Sequence, residues 1–350
     1  MPSDNNYSRP YRNRIHCLLS SLYRHIQWHT FSHIGTFLTV LFLSGCCPDV
    51  LPETYSPNRV KISQSTACQQ QPEGSTLDIF AFQDDRLKRL DSYQRIEGFE
   101  GNTAYAGCYS GAKIFFFCIS AGRSTYEWAD MNSYSSLNKI RIDLENETRE
   151  CLTMTGECRI SADQDGGNVV LKPLVAEISI DGIGYDFTGT PYAGQTITDM
   201  RAYLININAT YGLTDHDFRG PERIVNQGML RKEDLSGFHQ KDMIFSELSI
   251  KSGRWSQKPD ISFLCFPNQG SDDSIGNPCT RLVIEGKIDG MTYYWPISIK
   301  RIERNCRYSF NILIRRKGTS DPDTPVDLEE CEIQYDIIPW EEKTECGIRF

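Results

Sequence analysis

Histidine is nearly missing from the part of this 350-residue chain that could fold around a catalytic site. Of six, His16, His25, His29 and His33 fall near the amino terminus, leaving only His216 and His239. Histidine is the usual proton carrier near neutral pH and a common zinc ligand, so its scarcity removes most acid–base and zinc chemistry. His216 stands between Asp215 and Asp217, but with no second histidine at ligand spacing the trio reads as a solvated loop. Also missing are a CxxC pair, a GxSxG elbow, an HExxH helix, a phosphate loop and a dinucleotide fingerprint. Asp163-Gln164-Asp165-Gly166-Gly167-Asn168 lacks the closing acidic residue of a calcium loop and reads as a turn. No cofactor and no metal are expected. Helical periodicity is scarce as well, with one candidate over 133–144 carrying Leu137, Ile140, Ile142 and Leu144.

The chain has no apolar run long enough to span a bilayer, but it has a shorter one in a telling place. Arg9, Arg12, Arg14 and Arg24 precede an apolar stretch from Ile34 to Leu43, and Leu43-Ser44-Gly45-Cys46 closes it. A cationic segment, a short apolar run and a small-residue box ending in cysteine read as a lipoprotein export signal. Cleavage between Gly45 and Cys46 would leave Cys46 to carry the lipid. Several acyl chains on one residue hold a protein stably at a membrane where one does not. Residues 46–350 then carry 33 Lys and Arg against 45 Asp and Glu, a surface that repels nucleic acid. The thirteen cysteines include Cys17 in the leader and Cys46 at its end. The remaining odd number cannot all pair. Cys151 with Cys158 and Cys265 with Cys279 could close short loops, or these residues could serve as small hydrophobes in strands.

Strand signals dominate beyond residue 60. Cys306, Tyr308, Phe310, Ile312 and Ile314 alternate with Arg307, Ser309, Asn311 and Arg315, and Cys331, Ile333, Tyr335 and Ile337 repeat the pattern. Asp289-Gly290 between two such runs predicts a type I′ hairpin. Further strands are expected over 77–82, 114–119, 169–180, 200–207 and 261–266, with antiparallel pairing throughout. The 114–119 run is apolar at every position and predicts a central strand covered on both faces. This pattern describes an all-β protein with little helix. We expect a leader at 1–45, a lipidated linker at 46–59 and two β-sandwich domains in tandem at 60–168 and 169–350.

Arg304-Asn305-Cys306-Arg307-Tyr308, the strand after it, the 318–326 segment, the last alternating strand and Pro339-Trp340 together resemble the carboxyl-terminal signature of fimbrillin-type pilins. These are lipoprotein subunits of Bacteroidales type V pili. Leu77-Asp78-Ile79-Phe80-Ala81-Phe82, Met154-Thr155-Gly156 and Leu174-Val175-Ala176-Glu177-Ile178 resemble earlier elements of that family in the same order. The resemblance implies two transthyretin-like Greek-key sandwiches, a non-enzymatic role in a surface filament, and an outer-membrane lipid anchor. It also implies assembly with other pilin subunits by β-strand addition, in which a carboxyl-terminal strand fills a groove vacated by the first strand. Here the first strand would include Val60 and Ile62, and the donor-like end would present Cys346, Ile348 and Phe350 on one face. The loop at 67–75 holds no Arg or Lys for an activating cut, which favours an anchor, accessory or tip subunit over a major shaft subunit. A tip subunit would also meet a ligand on a host or bacterial surface. The competing reading is a surface glycan-binding lipoprotein of a carbohydrate uptake system, with Tyr293, Tyr294 and Trp295, or Tyr126 and Trp128, as the sugar platform. A hydrolase built on carboxylates such as Asp130, Asp143, Glu145 and Glu147 is the remote third.

Overall fold

A glycine corner organises the first half of the molecule. The computed structural model describes residues 56–64, 75–99, 103–120, 128–214, 220–257, 259–272, 274, 276–325 and 331–339. Eight strands come first: β1 (Ser56–Gln64), β2 (Thr76–Gln83), β3 (Leu90–Glu97), β4 (Thr103–Cys108), β5 (Lys113–Ser120), β6 (Arg141–Asp143), β7 (Met154–Ile160) and β8 (Gly166–Pro173). All but β6 join in the order β3-β2-β5-β7-β8-β1-β4. Strand β8 pairs with β7 only at Pro173 and Lys172, opposite Met154 and Thr155, and otherwise follows β1. The strands part at Gly156, where a Cβ would lie 2.5 Å from the Val170 carbonyl oxygen. The sheet therefore folds over into two layers, β3-β2-β5-β7 against β8-β1-β4. Its far ends meet where the Ser92 hydroxyl donates to Gly107 O and the Tyr109 N–H donates to the Asp91 carboxylate.

Leu77, Ile79, Ala81, Phe115, Phe117, Ile119, Ala104, Ala106, Val169 and Leu171 fill the space between these layers. The opposite face of β2 and β5, with Phe80, Phe82, Ile114, Phe116 and Cys118, faces a second and larger core. Strand β5 is thus buried at every residue, as its unbroken apolar run predicts.

The second half supplies β9 (Ala176–Tyr185), β10 (Thr198–Ile205), β11 (Ile207–Asn208), β12 (Thr210–Gly212), β13 (Ile224–Val225), β14 (Phe245–Leu248), β15 (Gly253–Gln257), β16 (Ile261–Cys265), β17 (Thr280–Ile288), β18 (Met291–Ile299), β19 (Cys306–Ile314) and β20 (Cys331–Pro339). One sheet runs β14-β10-β17-β18, and the other β15-β9-β19-β20 with β16 also on β9. Their facing sides form the larger core, around Ile178, Ile180, Leu204, Leu282, Ile284, Trp295, Tyr308, Phe310 and Ile312. The protein is all-β, built as sandwiches, with the helix among the described residues confined to short segments such as Tyr134–Leu137 and Lys232–Gly237.

Several local expectations hold, and several need correction. Asp289 and Gly290 take positive φ, 51° and 78°, as the type I′ turn between β17 and β18 requires. Pairing is not antiparallel throughout, because β1 runs parallel to β8 and β19 parallel to β9. A period of two is common to both arrangements, so alternation alone cannot separate them. The 133–144 segment forms only one helical turn, Tyr134–Leu137, before β6 pairs with β12. Leu144 then donates its N–H to Ala209 O, so tertiary pairing takes the backbone groups a longer helix would need. Leu137, Ile142 and Leu144 are nevertheless all buried. The expected 169–180 strand is two strands, broken where Leu174 N–H donates to Thr153 O and Val175 O accepts from Asn305.

Candidate strand-addition groove

Strand β1 is the middle strand of its layer, so its removal would leave a slot with an open hydrogen-bonding edge on each side. It pairs antiparallel with β4 from Ser56↔Cys108 to Lys61↔Thr103, and parallel with β8 from Arg59↔Gly166 to Gln64↔Leu171. The even-numbered positions stand level with buried residues. Asn58 is opposite Ala106, Val60 opposite Ala104 and Gly167, and Ile62 opposite Val169. The odd positions stand level with the outer face, where Tyr105 beside Arg59 and Val170 beside Ser63 are 59% and 45% exposed. Beneath the slot lie Ile160 and the Cys158 thiol of β7, which occupy the room that a side chain at Gly167 would take. Burial pushes the Cys158 thiol up to about 11, with the Glu157 carboxylate adding to the effect.

Strand β20, like the edge strands β3, β4, β14 and β18, has an unspent pairing edge. It forms one edge of its sheet and pairs along its whole length with β19. Tyr335 stands opposite buried Phe310 and stacks on it with ring centroids 5.5 Å apart, and Ile337 stands opposite buried Tyr308. Both residues are nonetheless more than half exposed, at 58% and 53%. Their face is the core face, but the core does not extend that far. Ile333 packs against it and the later residues overhang. A long edge strand with apolar side chains in water is the kind of surface that invites another strand.

The two halves are tied together by arginines whose donors meet backbone carbonyls. Arg304 donates from Nε to Pro173 O at 3.0 Å, and from Nη2 to Thr155 O at 3.3 Å and to Lys172 O. Arg149 reaches the other way, donating to the Ser262 hydroxyl at 3.0 Å, to Asp242 O at 3.1 Å and to Ser262 O. Neither role is legible in sequence, although Arg304 opens the signature that carries the resemblance. Sequence reasoning also missed Asp78. Its buried carboxylate receives Arg95 at 2.8 Å, the Tyr93 hydroxyl at 2.7 Å and the Trp128 indole N–H at 3.2 Å. Burial, followed by the Asp78 carboxylate itself, pushes the Tyr93 phenol well above its ordinary range.

The other sequence candidates disperse. Trp295 is fully buried and donates to Arg316 O at 3.0 Å, and Trp128 is buried against Asp78. Tyr293 is half-buried beneath the Lys317 ammonium, 5.3 Å from its ring centroid. No aromatic platform for a sugar is assembled from these residues. Glu145 is held by Arg223 at 2.8 and 2.9 Å, and Glu147 by the Thr153 N–H and hydroxyl, each at 2.6 Å. These two carboxylates are spent on structure. Among the described residues, no group of three or more His, Cys, Asp or Glu side chains could hold a metal ion. Cys158, Cys265 and Cys279 are free thiols, so neither short cysteine loop closes. His239 is exposed. Gly45, Cys46, Tyr126, His216, Cys346, Ile348 and Phe350 lie outside the described residues.

No protein-family model matches the sequence, and no curated protein is significantly similar to it. Solved structures do match. A candidate cell adhesion protein from Bacteroides eggerthii DSM 20697 aligns over 83% of this chain and 97% of its own, at 16% identity and a TM-score of 0.61. Another from Parabacteroides distasonis ATCC 8503 aligns over 83% and 98%, at 16% identity and 0.58. A fimbrilin (FimA) from Porphyromonas gingivalis W83 aligns over 82% and 98%, at 12% identity and 0.59. The chain has the fold of the fimbrilins and of these cell adhesion proteins over nearly their full length. At such identities the likeness speaks for architecture alone.

Proposed function

We propose that this chain is a structural or adhesive subunit of a cell-surface pilus, exported as a lipoprotein on Cys46 and joined to its neighbours by β-strand addition. The observation that carries the reading is the position of β1 between β4 and β8, where a single segment satisfies two strand edges at once. A replacement strand would regain both sets of main-chain hydrogen bonds, while its alternate side chains would re-enter the core. The fold shared with fimbrilins supports this reading, and among the described residues the dispersed carboxylates and the exposed His239 give no support to catalysis. On this reading the partners are other pilin subunits and the outer membrane. Residues 344–350, with Cys346, Ile348 and Phe350 alternating, are the segment lent to a neighbour. The two sandwiches would divide near residue 168, and the absence of Arg and Lys from 67–75 marks an anchor, accessory or tip subunit that keeps its first strand.

The test is carried out in the native pilus-bearing cell. Deletion of 344–350 is expected to remove the chain from high-mass, detergent-resistant polymers while leaving it folded and lipidated. Unchanged incorporation would overturn strand donation. Amino-terminal sequencing of surface-recovered protein is expected to find Cys46 blocked and no new start at or beyond Ala67.

A further inference from the structure

The two-stranded ribbon of β6 and β12 joins the first half of the chain to the second, and an open cavity of about 670 Å³ lies beside it. Ile142 and Tyr211 pair across the ribbon and are buried in the larger core, so Arg141 and Gly212, the next pair along, stand on its other face and line the cavity. Gly212 makes room for the arginine, since a Cβ there would stand 3.3 Å from Arg141 Nη1. The guanidinium is held by Nη1 donating to Asn138 O at 2.6 Å and Nε donating to the Glu222 carboxylate at 2.8 Å. Among the described residues its Nη2 has no partner, and the exposed Lys139 ammonium on the same lining has no ion pair. The remaining polar lining is hydroxyl and amide. Asn138 Oδ1 accepts from the Thr214 hydroxyl at 2.6 Å, while the Thr210 hydroxyl is buried with no hydrogen-bond partner. A buried hydroxyl left in that state is costly, and an incoming polar group would relieve it.

We propose that this cavity binds a carboxylate-bearing sugar, a hexuronic or sialic acid residue of a surface glycan. Its size falls within the range of about 300–1,000 Å³ usual for small-ligand sites, and such sites favour the seam between two parts of a fold. Two cations against one carboxylate give the lining a positive balance on a chain whose net charge is -9, which selects an anion. Lys139 and Arg141 Nη2 take the sugar carboxylate in charge-assisted hydrogen bonds. Glu222 decides which anion is accepted. Sugar hydroxyls can donate to it, whereas a phosphate or sulfate dianion brings only acceptors and is repelled. The site uses none of the aromatic residues that the sequence offered as a sugar platform. It rests on the adhesive form of the reading above and gives the class of ligand to which such a subunit adheres.

The experiment titrates the purified full chain with glucuronic acid, N-acetylneuraminic acid, glucose, acetate and inorganic phosphate, followed by ligand-observed NMR. One of the two acidic sugars is expected to bind at least about tenfold more tightly than glucose, acetate or phosphate. Lys139→Gln is expected to weaken that binding about tenfold and Thr210→Val about threefold, with neither variant melting lower than the wild type. Binding of neither acidic sugar, equal binding of glucose or acetate, tighter binding of phosphate, or unchanged affinity in either variant would overturn the proposal. Entry of the wild-type chain into high-mass polymers is scored separately in the pilus-bearing cell. A chain that enters polymers but binds neither acidic sugar refutes the site alone, and one that binds but enters no polymer refutes the pilus subunit alone.

Discussion

Strands β5 and β1 face the same core from opposite layers, and they are built to opposite standards. Strand β5 is buried at all eight residues and carries Phe115, Phe117 and Ile119 on that side, with Ile114, Phe116 and Cys118 on the other. Strand β1 carries Val60 and Ile62 among polar residues and pairs with small neighbours, Ala104, Ala106 and Gly167. Backbone pairing is similar in the two, since each has a strand on either side. The difference lies in the residues that the two strands bring, an unbroken apolar run at 114–119 against Val60 and Ile62 among polar neighbours. Strand β5 holds the layers together through its side chains, while β1 is held by backbone pairing on both of its edges.

The comparison breaks most visibly at β5. Phe117→Ala removes a fully buried ring and is expected to cost about 3–5 kcal/mol, read as a loss of unfolding free energy in urea. A cost below about 1 kcal/mol would mean that the core between the layers is too loose to define a groove. Next comes the corner. Gly156→Ala would place a methyl group 2.5 Å from Val170 O and 2.8 Å from a Val169 methyl, both on β8. Because backbone is in the way, the strands must shift, at a cost of about 1–3 kcal/mol. Hydrogen exchange should show the loss concentrated in β8 and β1, with β5 amides still protected. Uniform loosening would contradict the division into a firm layer and a replaceable one.

Much of this contrast can be read from sequence, and the rest resists for physical reasons. The β5 run announces itself because a strand covered on both faces needs no polar residue, and Asp289-Gly290 announces its hairpin because few other pairs tolerate two positive φ values. The place of β1 in the sheet cannot be read so directly. Its neighbours β4 and β8 begin 39 and 102 residues after its own end at Gln64, at Thr103 and Gly166 in pairings with Lys61 and Arg59, and no local rule selects them. The 133–144 segment misleads for a related reason. Its apolar spacing satisfies a helix, but β12 offers a strand partner and the same residues become buried by that route. Arg304 is silent because its acceptors are backbone carbonyls, which every sequence has, and Arg149 because it too reaches carbonyls, of Asp242 and Ser262, far along the chain.

The finest probe of the comparison is Cys158, which lies under the slot where Gly167 leaves room. With its thiol pushed up to about 11, it is almost wholly protonated at pH 8, so alkylation of the folded chain should be slow. The rate should keep climbing with pH toward about 11, whereas a thiol in the unfolded chain would level off near its ordinary value, about 8.5. Labelling below that range draws on moments when the structure around the thiol opens, and Gly167 of β8 is the neighbour beside its Sγ. Gly156→Ala, which pushes on Val169 and Val170 of β8, should therefore speed the labelling about three- to tenfold, as followed by intact-mass spectrometry. If the rate is unchanged, the reagent reaches Cys158 through the partial exposure it already has in the folded chain, and β8 is as firmly held as β5.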